Sequence, residues 1–234
     1  PGPAAPAAAP GPPAVPGPPD TVPSRSRGRA LWPWLAAAAA VCLAAVTVAV
    51  FALREPSPEE RPFTVPVDFC KLLTQRQLTE IGGGIKLSAG EKSEHGCAWT
   101  SAGTGVSLRP LTDSDTPQPW ALSTEEAEEL IVNLRKERQH QRNVTTTWKE
   151  IGLGAVTGTV RGVQAMPELG EGAFRYEVAS AQGHVYHAAV CVRVRNLVVE
   201  AQYTTLSFRP TDEQVRESAA KAARYAAEAL RSLT

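Results

Sequence analysis

The run "LWPWLAAAAAVCLAAVTVAVFAL", Leu31 to Leu53, sets the strongest constraint on this chain: twenty-three residues without one charge. As a helix it would rise about 35 Å, enough to cross a hydrocarbon core of about 30 Å. Pro33 falls in the first turn, where a missing N–H costs little. Trp32 and Trp34 stand where an interfacial aromatic belt would place them. Arg25, Arg27 and Arg29 precede the run, whereas Arg54, Glu55, Glu59, Glu60 and Arg61 follow it. The basic excess is N-terminal, so the positive-inside rule predicts a cytoplasmic N-terminus and a large C-terminal domain outside the membrane.

Three rival readings fit less well. A cleaved signal peptide could use Val50-Phe51-Ala52, but the apolar stretch far exceeds the usual core of about 7–15 residues. A lipidated cysteine at Cys42 would lie mid-run and lacks a Leu three positions before it. A buried core helix would need amphipathic neighbours, and nothing nearby is amphipathic. The expectation is a single-span anchor over 31–53, with the lipid bilayer as its partner.

The flanks differ sharply from each other. Residues 1–30 are almost wholly Pro, Ala and Gly before the arginines, and such a tail buries too little surface to offset chain entropy. It reads as a disordered Pro-rich segment with polyproline II character. Residues 54–66, Pro- and charge-rich, read as a spacer. Residues 67–234 then have the size of one domain. From residue 62 onward the chain has 19 Lys+Arg and 20 Asp+Glu, a net charge of −1. That balance argues against nucleic acid as a partner, because phosphate binding needs a basic stripe.

The domain's pattern predicts helix, strands, helix, strands, helix. Thr74 and Gln77 form a capping box ahead of Leu78 and Ile81, and Gly82-Gly83-Gly84 ends that helix. Short strands are expected at 85–89, 95–100 and 104–109. Ser123 and Glu126 open a helix over 124–141, whose apolar stripe is Ala127, Leu130, Ile131 and Leu134. Its glutamates at the start and arginines at the end complement the helix dipole. In "HAAVCVRVRNLVVEAQY", a turn at Arg195-Asn196 sets Val194 against Leu197, Val192 against Val199, Val190 against Ala201 and Ala188 against Tyr203. All eight then share one buried face, leaving Cys191, Arg193 and Glu200 on the other. Pro210, Thr211 and Gln214 begin a last helix with the stripe Val215, Ala219, Ala222, Ala226, Leu230 and Leu233. The predicted fold class is α+β: an antiparallel sheet covered by helices, preceded by one transmembrane helix and the disordered tail.

The segments "VDFCKLLTQRQLTEIGG", "GCAW", "LGEGAF", "VCVRVRNLVVEAQY" and the Ala-rich final helix occur in an order with a known counterpart. Over residues 66 to 231 the chain resembles the actinobacterial envelope proteins grouped as domain of unknown function 3558, and similar lipoprotein and kinase-sensor domains. That resemblance implies an extracytoplasmic α+β domain with no established enzymatic activity. It also implies recurring cysteines at Cys70 and Cys97. The chain departs from the pattern in having a spanning anchor instead of a lipidated cysteine, and in carrying Cys191 within a strand. Outside the cytoplasm thiols oxidise, and three cysteines allow three single pairings. The resemblance favours a structural disulfide between Cys70 and Cys97, which leaves Cys191 over.

No residue pattern names a reaction. His95 and Cys97 lie two apart without an orienting Asn or Asp, so the pair reads poorly as a nucleophile and base. His184 and His187 would point to opposite faces of a strand and could not share an ion. Asp113 and Asp115 read as a turn, since two carboxylates fall short of a calcium loop. "GLGAVTG" at 152–158 lacks dinucleotide spacing, and no Walker sequence or nucleophile-elbow serine occurs. No catalytic residue, metal ligand or cofactor is therefore expected. Trp120 and Trp148 are the candidate binding residues, lining a groove for an envelope protein or a lipid or cell-wall ligand, while Trp99 reads as core. The expectation is a non-enzymatic binding or sensor-like module. The alternative is an envelope hydrolase or thiol-redox enzyme whose site is assembled from distant residues.

Overall fold

A computed structural model describes residues 61–93, 96–112, 118–207 and 209–233. The predicted tail, the span 31–53 and its flanking Arg25, Arg27, Arg29, Trp32 and Trp34 lie outside the described residues, as do His95, Asp113 and Asp115. Among the described residues, no helix is long and apolar enough to cross a membrane.

Three helices start by the same device. In α1 (Gln75–Ile81), α2 (Thr124–His140) and α3 (Asp212–Ser232), the residues Thr74, Ser123 and Thr211 accept a bond from the third backbone N–H of the helix. Gln77, Glu126 and Gln214 reach back to the capping residue's own N–H. Two otherwise unsatisfied donors are thereby bonded at each start. The strands β1 (Glu91–Lys92), β2 (Cys97–Ser101), β3 (Thr104–Leu111), β4 (Asn143–Trp148), β5 (Leu153–Ala165), β6 (Phe174–Ala179), β7 (Val185–Val194) and β8 (Leu197–Thr205) form one sheet. Its order is β1-β2-β3-β8-β7-β6-β5-β4, with every neighbouring pair antiparallel. The α+β expectation thus holds for the domain, as a curled antiparallel half-barrel with three helices.

The β7–β8 hairpin has the register that the sequence dictates, with Val194 opposite Leu197, Val192 opposite Val199, Val190 opposite Ala201 and Ala188 opposite Tyr203. Arg195 takes a φ of 57° at the turn, a left-handed conformation that few residues other than glycine adopt. Its guanidinium compensates by bonding the Arg231 and Leu233 carbonyls at the end of α3 and stacking over Phe63. The outer face of the hairpin packs against α3 through Val215, Ala219, Ala222, Ala226 and Leu230. Alanines let the helix backbone approach the sheet closely.

The opposite face departs from the expected single buried side. It too is buried, because Ala127 and Ile131 of α2 cover Phe174, Ala189, Cys191 and Val198 there. The curl shows where β3 and β4 meet across this inner face: a Cβ on Gly105 would lie 2.7–2.9 Å from the Trp148 ring. The absent side chain at Gly105 is what lets that ring cross the opening of the half-barrel.

Three boundary expectations need correction. Residues 85–89 form no strand, and the sheet edge beyond β2 is instead the two-residue β1. Leu233 caps α3 and is 40% exposed, not part of the buried stripe. Phe63, placed in the spacer by composition, is buried, its N–H and C=O both bonded by the Asn196 side chain. The amide of Asn196 also donates to the carbonyls of Trp120 and Leu122, so one 1% exposed side chain joins the chain entry, the β3–α2 connection and the hairpin turn. Cys70 and Cys97 form a disulfide, with Cα atoms 5.0 Å apart, tying the turn before α1 to β2. Asn196→Ala should lower unfolding free energy by roughly 2–4 kcal/mol, because four backbone groups lose their partner at once. Urea denaturation of the variant and the parent checks this, and an unchanged midpoint would contradict it.

Candidate ligand-binding site

The residues expected to bind do not share a groove. Trp99 is 2% exposed and faces the α3 side of the sheet, beside Val106. Trp120 is half-buried against the same core, next to a shallow cleft that includes Asp68, Phe69 and Lys92. Trp148 lies on the inner face, over Gly105. Cys97 is 1% exposed and disulfide-bonded, with no free thiol for catalysis.

What the inner face gathers instead is a polar network centred on Glu200, which is fully buried. Register alone sets its neighbours, since Glu200 pairs with Arg109 of β3 on one side and Cys191 of β7 on the other. Arg109 Nε and Nη2 both lie 2.5 Å from Glu200 Oε2. Tyr176 Oη donates to Oε1 at 2.7 Å, and Gln202 Nε2 donates to Oε2 at 2.5 Å. The Cys191 thiol points at Oε1 from 3.9 Å. Arg138 of α2 lies 4.9 Å from the centre of the Tyr176 ring, a cation over an aromatic face. Further along, His187 Nδ1 and Thr204 Oγ1 are 2.8 Å apart.

The network sets its own ionisation. Burial pushes the Glu200 carboxyl up, and Arg109 with the Tyr176 hydroxyl more than reverses this, so it stays below its usual range. Burial and the Glu200 charge together raise Cys191 and Tyr176 well above their usual values. Burial lowers the His187 imidazole to about 4 despite the nearby carboxylate. The carboxylate is thus charged and fully bonded, the thiol protonated and the imidazole neutral. Thiolate chemistry needs the opposite environment for cysteine.

The inner face opens at one end, where a cleft of about 150 Å³ forms between the start of β5, the β6–β7 turn and the start of α3. A β-bulge makes it: Val178 pairs with His187 and Ala179 with Val185, leaving Tyr186 as the extra residue. The bulge turns the Tyr186 ring onto the inner face, where it packs against the α2-side cluster. Gly158 leaves room for it, since a Cβ there would lie 2.8 Å from Tyr186 Oη. Leu153, Val156, Leu206 and the Tyr186 ring form the apolar part of its walls, and Gln182, His184, Thr205 and Ser207 the polar part. Asp212 Oδ1 accepts the Val185 N–H at 3.1 Å and pins α3 to the rim. His184, also on the rim, is exposed, whereas His187 is buried in the network, so the two share no site. Among the described residues no three His, Cys, Asp or Glu side chains group as metal ligands.

The sequence offered little toward this site. Glu200 and Cys191 were legible only as residues off the apolar face, and Tyr186 gains its direction from a bulge that no motif announces. Compared with protein-family models, curated proteins and solved structures, the chain matches none.

Stability should fall in acid. Between about 6.5, the ordinary imidazole value, and about 4, the unfolded chain protonates His187 while the folded chain keeps it neutral. Its contribution, roughly 2–4 kcal/mol, is fully present above the upper value and lost as pH falls toward the lower. Glu200, also shifted down, adds a loss in the same direction at still lower pH. Urea midpoints from pH 7.5 to 4 measure the slope, and His187→Gln should flatten its upper part.

Proposed function

We propose that this chain is a membrane-anchored, extracytoplasmic binding or sensor-like module, not an enzyme. The carrying observation is the Cys70–Cys97 disulfide, since such bonds persist in oxidising compartments and are rare in the cytosol. The uncharged run 31–53 with its N-terminal arginines supports the same orientation. The absence of enzymatic activity is supported by how the inner face uses its reactive groups. Glu200 has both oxygens engaged, and Cys191 is buried beside a negative charge. Trp120 and Trp148 remain candidate contacts for an envelope protein or a lipid or cell-wall ligand.

In cells making the full chain, protease added outside should degrade the domain and leave the tail intact. Peptide mapping without reductant should recover Cys70 joined to Cys97. Protection of the domain in intact cells would overturn the orientation. Cys70→Ala with Cys97→Ala should lower unfolding free energy by about 3–4 kcal/mol, as expected for a loop of about 28 residues. Reductant should lower the parent similarly and leave the double variant unchanged.

A further inference from the structure

We infer that β4 is a self-pairing edge, where a second copy of this chain adds antiparallel about a two-fold axis at Thr145 and joins two sheets into one. This goes beyond the binding reading above and depends on neither its ligand nor its compartment. β4 ends the sheet, and among the described residues its one ladder partner is β5. The Val160 N–H donates to the Arg142 C=O at 2.9 Å, which fixes the alternation along the strand. Arg142, Val144 and Thr146 turn their backbone polar groups toward β5, so Asn143, Thr145 and Thr147 turn theirs outward. The extra residue of the bulge near Trp148 lies on β5, so β4 itself stays regular.

The two ends of the sheet are treated differently. Beyond β2 the chain supplies its own cover: the Ser88 N–H donates to the Thr100 C=O at 2.7 Å, and Ser88 Oγ accepts the Thr100 N–H at 3.1 Å. The outermost strand there, β1, is two residues long and carries Lys92. β4, "NVTTTW", has none of these protections: it carries no charge and no proline, and Val, Thr and Trp favour strands. Self-complementarity selects a second copy as the occupant. With Thr145 opposite itself, Asn143 faces Thr147 of the copy, and each outward N–H meets an outward C=O. The Thr145 hydroxyl lies 2.8 Å from that of Thr157 and has capacity for a further bond, so the axis extends a threonine ladder across both sheets. Arg142 falls opposite Trp148 of the copy, a cation beside an aromatic ring, and no like charges are opposed over 142–148. Pairing through six-residue edges falls below the area of about 1,200 Å² that stable complexes bury, so the dimer is reversible.

Oxidative cross-linking of the full chain in liposomes tests the pairing, with Cys42→Ala in the background to remove the thiol of the run 31–53. Thr145→Cys should give a disulfide-linked dimer, because opposed residues of a hydrogen-bonded pair have Cα atoms about 5.5 Å apart, within disulfide reach. Glu228→Cys, exposed on α3, should give several-fold less. Chains with Thr145→Lys or Thr145→Glu, labelled with donor or acceptor dyes, read the same axis without an added thiol. Thr145 is exposed, so either charge leaves the fold intact. Each variant alone should lose most of the energy transfer of the parent, and a mixture of the two should regain it, since like charges directly opposite repel and unlike ones attract. A Thr145→Cys yield no higher than that of Glu228→Cys would overturn the pairing, as expected if the edge takes an extended segment of another protein. Energy transfer indifferent to the charge at 145 would overturn it too, as expected if copies meet only through the run 31–53. The liposome experiments are indifferent to compartment, whereas the protease experiment reads orientation alone, so each reading fails on its own result.

Discussion

A strand pair buried on both faces has no solvent side to which a polar residue can turn, and that constraint organises this domain. β7 and β8 are covered by α3 on one side and by α2 on the other. Every residue of the pair must therefore be apolar or be matched by a partner in register. Glu200 is the exception that shows the rule. An isolated carboxylate at that depth would cost several kcal/mol or take up a proton. Arg109 of the neighbouring β3, Gln202 of β8 itself and Tyr176 of β6, one strand beyond β7, surround it instead. Such a network adds little net stability against an apolar replacement, but it penalises misregister, because a one-residue slip would strand the charge among leucines and valines.

The sequence spoke clearly where local chemistry decides structure. The three capping boxes set the helix starts, and the alternation in "HAAVCVRVRNLVVEAQY" set the hairpin's register before any tertiary contact is considered. It was silent on β4, β5 and β6. β5 carries Gly154, Gly158 and Gly162 and leaves most of its residues exposed, so no period-two pattern survives in it. Its glycines serve close approach and bulging, which propensity reads as loop. The expected strand at 85–89 failed for the converse reason, since Ile85 and Leu87 alternate correctly yet find no ladder beside them.

The candidate site was less legible than the fold. Trp120 and Trp148 attracted notice because tryptophans often mark binding surfaces, but side-chain type does not tell which face a residue will share. The sheet sends Trp148 to the inner face and the β3–α2 connection sends Trp120 to the other core. The cleft depends on Tyr186, whose direction comes from one extra residue in β7 relative to β6. A bulge shifts every subsequent side chain by one face, so the odd spacing of His184 and His187 could not be read as a simple alternation.

The chain entry has a mechanical consequence. Pulling on residue 61 first loads Phe63, held by two hydrogen bonds to Asn196 and by its buried ring. Six residues, the buried Phe69 among them, separate Phe63 from Cys70, and there the load passes through a covalent bond into β2. From there it acts along the β2–β3 ladder, where several bonds must yield together. Tension applied at residue 61 thus reaches a covalent cross-link before it can strip α1 from the domain.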